Sequence, residues 1–352
     1  MPMAETACDP PLLDRCRELL YDSSPSYASH RTLNNGNDCG GECELPLIDL
    51  SCLSCDSAQD RRACVAAIAR ASSEWGFFQV VNHGISRELL WEMRREQRRL
   101  FGMAFQKKDS CCRLLDGSYR WGAPTATCAG QFSWSEAFHI PLSKINEEDD
   151  DDDETCNGDF SSLREVMKRL AGAISELAME LAGVLTENLG QPAGFLAQSC
   201  GKSSCFLRLN RYPPCPFSPE VFGLVPHTDS DFLTVLYQDE VGGLQLMKDS
   251  EWVAVRPNPD ALIVNIGDLF QAWSNDVYKS VEHRVVANGE VERYSIAYFM
   301  CPSYGSIVGA CGEPSVYRSF TFAEYRRQVQ EDVRRTGQKV GLPRFLRRPK
   351  LS

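Results

Sequence analysis

At 352 residues and 43% hydrophobic composition, the chain can bury a large core, and one catalytic domain with a substantial helical N-terminal part fits better than two independent domains. The formal net charge of −11 argues against nonspecific nucleic-acid binding, and most of it is local: residues 147–154 are eight consecutive acids, which leaves −3 for the rest. Sixteen cysteines fall in no regular paired frame; with no secretory leader and no apolar window of membrane-spanning length, a soluble cytoplasmic protein is expected, with no nucleic-acid or membrane partner.

Residues 1–43 mix Ser, Asn, Gly, Pro and Cys around a short apolar patch and are expected to be poorly ordered for the most part. Residues 44–200 read as a helical N-terminal part. Within it, residues 61–72 repeat Ala and Ile on one side, and the apolar run 77–81 is a strand closed by the Asn82-His83-Gly84 turn, where His83 reads as structural. Ser86 caps a helix to about Phe101, with Glu88 and Glu92 in its early turns where the helix dipole favours acids. Cys52 and Cys55 form a C-x-x-C, but no second pair stands at zinc-ribbon distance, and adjacent Cys111 and Cys112 suit neither a zinc site nor a paired frame. The acidic loop 147–154 repels itself and stays solvated, with a divalent-ion site as the sharper alternative. Residues 161–189 form the longest helix, carrying Leu163, Val166, Leu170, Ile174, Leu177, Leu181 and Leu185 at three- and four-residue steps until Gly190 ends it.

From Cys205 to Phe299 the period changes to alternation, with hairpin signals at Lys248-Asp249-Ser250-Glu251 and Asn288-Gly289. Short, closely spaced strands of this kind suit a double-stranded β-helix, so the fold class is mainly β with flanking helices and a jelly-roll core over residues 201–305. Residues 306–352 return to a helix, with Tyr325, Val329 and Val333 on one side to cover the barrel, and end in a basic tail.

The core carries the chemistry. His227-Thr228-Asp229 is followed after 53 residues by His283, and then by Arg293-Tyr294-Ser295. Two imidazoles and one carboxylate can occupy one face of an octahedral Fe(II) and leave the other face open. Residues i and i+2 of a strand project to one side, so His227 and Asp229 can reach one ion while His283 arrives from a distant strand. Arg293 offers a planar fork of donors and Ser295 a hydroxyl, a pair suited to the far end of a dicarboxylate. If the strands around His283 and Arg293 form a hairpin, a two-residue Asn288-Gly289 turn pairs Arg293 with Arg284 and turns it away from the site. A three-residue loop instead pairs Ser295 with His283, so an odd loop or a bulge is predicted.

These elements, with Leu45-Pro46-Leu47-Ile48-Asp49-Leu50, Trp75-Gly76-Phe77-Phe78-Gln79-Val80-Val81-Asn82-His83-Gly84-Ile85 and Asn210-Arg211-Tyr212-Pro213-Pro214-Cys215-Pro216, resemble the plant Fe(II)/2-oxoglutarate-dependent dioxygenases. Tyr119-Arg120-Trp121-Gly122 and Phe132-Ser133-Trp134-Ser135-Glu136-Ala137-Phe138-His139 are similar to gibberellin 2-oxidases that act on twenty-carbon precursors. The resemblance implies Fe(II) held by His227, Asp229 and His283, with 2-oxoglutarate as cosubstrate, O₂ as oxidant and ascorbate as support. It places the 2-oxoglutarate 5-carboxylate at Arg293 and Ser295, with Tyr212 beside it and Asn210 on the same face, although both could be ordinary strand hydrogen-bonders. The implied reaction hydroxylates carbon 2 of a gibberellin precursor while 2-oxoglutarate becomes succinate and CO₂, which inactivates the hormone pathway.

Arg120, Tyr119, Trp121, Phe232 and Phe299 are the candidate substrate contacts. Core packing accounts equally well for each aromatic, whereas Arg120 beside two aromatics suits a carboxylate on an apolar ligand. His139 stands between a mouth-lining and a packing role. The same chemistry on a flavonoid, an alkaloid or another hormone is the alternative; a noncatalytic barrel would have no need of His227, Asp229, His283 and Arg293 together. Oligomeric state and the exact gibberellin are left open by the sequence.

Overall fold

The computed structural model describes residues 8–21, 41–109, 114–123, 126–147, 160–201 and 203–347. Cys111, Cys112 and nearly all of the acidic loop lie outside them. In chain order the strands are β1 (Glu42–Cys43), β2 (Leu47–Asp49), β3 (Phe77–Val81), β4 (Tyr119–Trp121), β5 (Glu136–Pro141), β6 (Phe206–Tyr212), β7 (Phe222–His227), β8 (Leu233–Gln238), β9 (Leu244–Lys248), β10 (Glu251–Val255), β11 (Leu262–Ile266), β12 (His283–Val286) and β13 (Arg293–Met300). The main helices are α1 (Leu12–Tyr21), α2 (Ala58–Glu74), α3 (Arg87–Phe101), α4 (Phe105–Asp109), α5 (Leu142–Asn146), α6 (Ser161–Asn188), α7 (Phe195–Ser199), α8 (Asp268–Trp273) and α9 (Phe322–Thr336).

Two sheets face each other. The larger runs β2-β3-β11-β8-β13-β6-β5-β4 and the smaller β1-β10-β9-β12-β7. Every residue of β11 is buried, as a strand must be when one face lines the barrel and the other meets helices. The outer face of the larger sheet is covered by α6, which packs on β8 and β13 and against α2 and α3. Its leucines at helical spacing, from Leu163 to Leu185, are all buried. Ser86 caps α3 by accepting from the Leu89 amide, and Gly337 ends α9 at a φ of +73°, a conformation that glycine enters freely.

Within the N-terminal segment, α1 is a formed helix, because Leu12, Cys16 and Leu19 pack with Phe132, Trp134, Cys215 and Val221. One expectation needs correction. The hairpin expected at Asn288-Gly289 does not exist. β12 pairs with β7 and β9 in the smaller sheet, while β13 pairs with β6 and β8 in the larger. The Asn288 side chain accepts from the amides of Glu290 and Val291, and its carbonyl accepts from Cys215, so the segment turns the chain out of one sheet and into the other. By contrast the Asp249-Ser250 turn does close a two-residue hairpin, pairing Lys248 with Glu251, with φ of +50° and +69° at its centre.

Candidate metal and cosubstrate site

His227 ends β7, and His283 opens β12 directly opposite it in register. Asp229 lies two residues past His227, in the loop that leaves the strand rather than in the strand itself. One Asp229 oxygen, Oδ1, sits 3.7 Å from His227 Nε2 and 3.8 Å from His283 Nε2, and one ligand atom from each residue lies within 4.8 Å of the others. That is a compact facial set.

Each ring is aimed from behind. His227 Nδ1 is 2.8 Å from the Val225 carbonyl and His283 Nδ1 is 3.1 Å from that of Val281. A carbonyl can only accept, so Nδ1 carries the proton and the Nε2 lone pair faces inward. Asp229 Oδ2 accepts from Thr234 Oγ1 at 2.6 Å and from Asn265 Nδ2 at 2.8 Å, leaving Oδ1 free to bind. Burial, with the neighbouring His283, pulls the His227 pKa down to about 3. Burial alone would raise Asp229, but the two imidazoles and the Thr234 and Asn265 hydrogen bonds prevail and hold it at about 2. At neutral pH both groups are in the form a metal takes up, so binding displaces no proton from them.

The loop itself is tied down through Asp268. The Asp268 amide donates to the Asp229 carbonyl at 2.9 Å, its carboxylate accepts from Thr228 Oγ1 and meets Lys339 Nζ at 2.6 Å, and Tyr325 on α9 donates to it as well. Lys339 also donates to the Thr228 carbonyl. Gly267 admits no side chain, since a Cβ there would stand 2.3 Å from the Asp231 carbonyl oxygen. The Gly267-Asp268 turn is therefore structural, in the service of the ligand loop.

Deeper in the barrel, Arg293 is only 2% exposed. Its Nη2 donates to Gln238 Oε1 at 2.8 Å, and its guanidinium lies 4.9 Å from the centre of the Tyr212 ring. Nε and Nη1 have no hydrogen-bond partner among the described residues. Two orphaned donors on a buried cation are costly, and a carboxylate reaching them would satisfy both. Ser295 Oγ is 3.2 Å from Asn210 Nδ2. Arg293, Tyr212, Ser295 and Asn210 line one cavity of about 50 Å³ with His227, Asp229 and His283. Donor chemistry at one end and an unsatisfied cation at the other fit Fe(II) and the far carboxylate of 2-oxoglutarate.

The substrate candidates separate by strand parity. Tyr119 is buried, its hydroxyl donated to Glu136 and its ring packed on Phe105 and Phe138. Trp121 packs edge-on to Phe105, and Phe232 packs against Phe270 in the core. None of the three lines the cavity, because Tyr119 and Trp121 share the outward face of β4 and Phe232 faces α8. Arg120 alternates to the barrel side, opposite Ala137, which itself pairs with Asn210. Phe299 lines both the metal cavity and a second cavity of about 230 Å³ beside α9, together with His139, Phe206 and Arg326. Thr234, Asn265, Gln238, Arg208 and Arg326 were not picked out from the sequence. Arg208 carried a usable signal, standing two residues before Asn210 on the same strand face.

Residues 203–302 match the model of the 2OG-Fe(II) oxygenase superfamily, and residues 45–159 that of the N-terminal region of non-haem dioxygenases in morphine synthesis. Gibberellin 2-beta-dioxygenase 6 of Oryza sativa subsp. japonica is 56% identical, with 98% of each chain covered. Gibberellin 2-beta-dioxygenase 8 of Arabidopsis thaliana is also 56% identical, over 87% of this chain and 88% of its own. The crystal structure of JOX2 in complex with 2OG, Fe and JA superimposes with a TM-score of 0.72 at 30% identity, covering 89% of this chain and 92% of that one. A facial ligand set and an unsatisfied buried arginine in a two-sheet barrel, joined to such identity over nearly the whole length, have one explanation: the chain belongs to the plant 2OG-Fe(II) oxygenases and is a dioxygenase that uses Fe(II) and 2-oxoglutarate.

Proposed function

We propose that this enzyme hydroxylates carbon 2 of gibberellins, with twenty-carbon precursors preferred, and so lowers the supply of active hormone. His227, Asp229 and His283 would hold the iron; Arg293 and Ser295 would receive the 5-carboxylate of 2-oxoglutarate, with Tyr212 packed on the guanidinium and Asn210 fixing the serine. When bound, the iron and 2-oxoglutarate supply the oxidising power that O₂ alone lacks towards an unactivated C–H bond. The protein's own share is placement. Thr234 and Asn265 keep the second Asp229 oxygen occupied, Gln238 fixes the plane of the Arg293 fork, and the apolar walls of Phe77, Leu236 and Leu244 limit water at the reacting centre.

The observation that carries the substrate is the 56% identity to two gibberellin 2-beta-dioxygenases. The twenty-carbon preference rests on the 119–122 and 132–139 segments, which lie at the far edge of the larger sheet, away from the iron ligands. No helix among the described residues is long and apolar enough to cross a membrane. The deciding experiment incubates the protein with Fe(II), ascorbate, 2-oxoglutarate and a panel of twenty-carbon gibberellins, nineteen-carbon gibberellins and flavonoids. Succinate release matched by a product one oxygen heavier is expected for the twenty-carbon acids first; turnover confined to flavonoids would overturn the reading.

A further inference from the structure

Parity along the larger sheet brings an unusual set of side chains to the barrel mouth. His139 pairs with Arg208 across β5 and β6, and Phe206 pairs with Phe299 across β6 and β13. Their rings form a continuous stack: His139 lies 3.7 Å from Phe206 between centroids with 17° between planes, and Phe206 lies 4.4 Å from Phe299 with 12°. All three rings are only partly buried, so the stack presents a flat apolar floor leading towards the metal cavity that Phe299 also lines.

Three guanidiniums surround this floor. Arg208, Arg326 and Arg120 all act on the His139 imidazole, which burial and their combined charge push down to about 3. Histidine is therefore a neutral ring here, part of the floor rather than a fourth cation. Arg208 Nε donates to Asn210 Oδ1 at 2.9 Å. Arg326 Nη1 donates to Tyr304 Oη at 2.6 Å, and its guanidinium lies against the Tyr304 and Phe322 rings. Arg120 donates to the Tyr119 carbonyl. None of the three forms an ion pair with a carboxylate of the described residues. The carboxylate that does border the cavity, Asp231, is turned to Thr234 Oγ1 at 2.8 Å.

Like charges gathered without counter-charges repel one another, and the arrangement is compensated when a ligand brings the anions. One carboxylate answers one guanidinium pair; three cations around one apolar floor ask for two. We infer that the His139–Phe206–Phe299 floor, with Arg208, Arg326 and Arg120 at its rim, is a binding site for a rigid fused-ring dicarboxylate, and that the enzyme selects its substrate by the number of free carboxylates. The inference rests on the gibberellin reading above and sharpens it, because it makes the second carboxylate, more than one additional carbon, the feature recognised. An extra carbon in an apolar pocket discriminates only modestly, whereas an unanswered charge discriminates strongly.

The test compares a twenty-carbon gibberellin diacid with its monomethyl ester, which keeps the skeleton and removes one charge. The wild-type enzyme should show a KM about ten- to a hundredfold higher for the ester, the worth of one charge-assisted contact. In Arg326→Gln the two KM values should converge, mainly by a rise for the diacid, while the KM for 2-oxoglutarate stays unchanged; Arg326→Lys should recover part of the difference. Arg208→Gln should likewise bring the diacid and ester KM values together, and melting curves establish that each variant is folded. Arg326 is partly exposed on α9, so its replacement leaves the barrel intact and carries the test if Arg208→Gln does not fold. Equal KM for diacid and ester in the wild type, or a difference that survives both arginine replacements, would overturn this site while leaving gibberellin oxidation standing. Oxidation of neither form would overturn the substrate assignment along with it.

Discussion

Asp229 has two oxygens with different tasks, and the residues around it decide which is which. Thr234 and Asn265 both bond Oδ2. Asn265→Ala leaves that oxygen half-satisfied and free to rotate toward the metal, so iron affinity should fall about ten- to a hundredfold, the usual cost of losing a group behind a metal ligand. Iron titration checks it, and an unchanged affinity would show that Thr234 alone suffices. Arg293→Ala should raise the KM for 2-oxoglutarate about ten- to a hundredfold and leave that for gibberellin nearly unmoved, since a charge-assisted hydrogen bond is worth roughly 1.5–3 kcal/mol. Equal weakening for both would point to a structural role. His139 makes a pH prediction. Its folded pKa of about 3 lies below the ordinary histidine value of 6.5, so between the two the unfolded chain binds a proton that the native state refuses. Stability from this residue therefore falls as pH drops below about 6.5, by up to roughly 1.4 kcal/mol per unit before solvent screening reduces it. His139→Phe keeps the stack without the titration, so its melting temperature relative to wild type should be higher at pH 5 than at pH 7.5. A difference independent of pH would mean that the imidazole accepts the proton in place.

Among the elements, β12 is the one on which the site most depends, since it presents His283 and is held between β7 and β9. Gly243 sits at the start of that contact with a φ of +93°, its carbonyl accepting from the Val286 amide at 2.8 Å. A Cβ there would meet the Val286 carbonyl oxygen at 2.6 Å. Gly243→Ala should therefore cost about 1–3 kcal/mol through backbone strain, and more where β9 and β12 are forced apart. Thermal melting and iron occupancy should fall together, and a variant that loses stability while keeping full iron occupancy would show that β7 alone holds His283 in place. The two turn signals illustrate what local chemistry can settle. Asp249-Ser250 joins strands that are neighbours in one sheet, so the favoured turn closes a hairpin. Asn288-Gly289 is the stronger signal by residue type, yet it joins strands whose partners lie in different sheets. Arg293 and Ser295 reach the interior because β6 and β8 set the register of β13, and the parity argument from a hairpin loop had no bearing on them.

For the whole molecule, folding of the barrel should not depend on the metal. Its two sheets are closed by apolar clusters outside the ligand set, and the ligand loop is braced by Asp268, Lys339 and Tyr325. Chelation should consequently leave the far-ultraviolet dichroism unchanged and lower the melting temperature by only a few degrees, the shift expected for about 2.7 kcal/mol of binding at a hundredfold excess over Kd. Cooperative unfolding on chelation would mean that the metal is a folding element. The same architecture explains where α1 goes: the helix fills an apolar patch formed by Trp134, Cys215 and Val221, and Asp9 just ahead of it joins the Arg211–Glu136 pair.

The sequence by itself determined the main helices and the barrel class and singled out His227, Asp229 and His283 as one cluster, which the fold brings together, because leucines at three and four and alternation between turns are written in local spacing. Arg293 was singled out by its strand spacing from Ser295, and the structure places it buried with two donors unsatisfied. Tertiary structure alone decided which strands are neighbours, and therefore that Tyr119, Trp121 and Phe232 are core while Arg208 and Arg326 stand with Arg120 around a stacked aromatic floor. Those side chains come from three separate stretches of chain and meet only because sheet closure and the docking of α9 bring them together. No periodicity within any one segment encodes a contact of that kind; it is a property of the pairing order of the sheets.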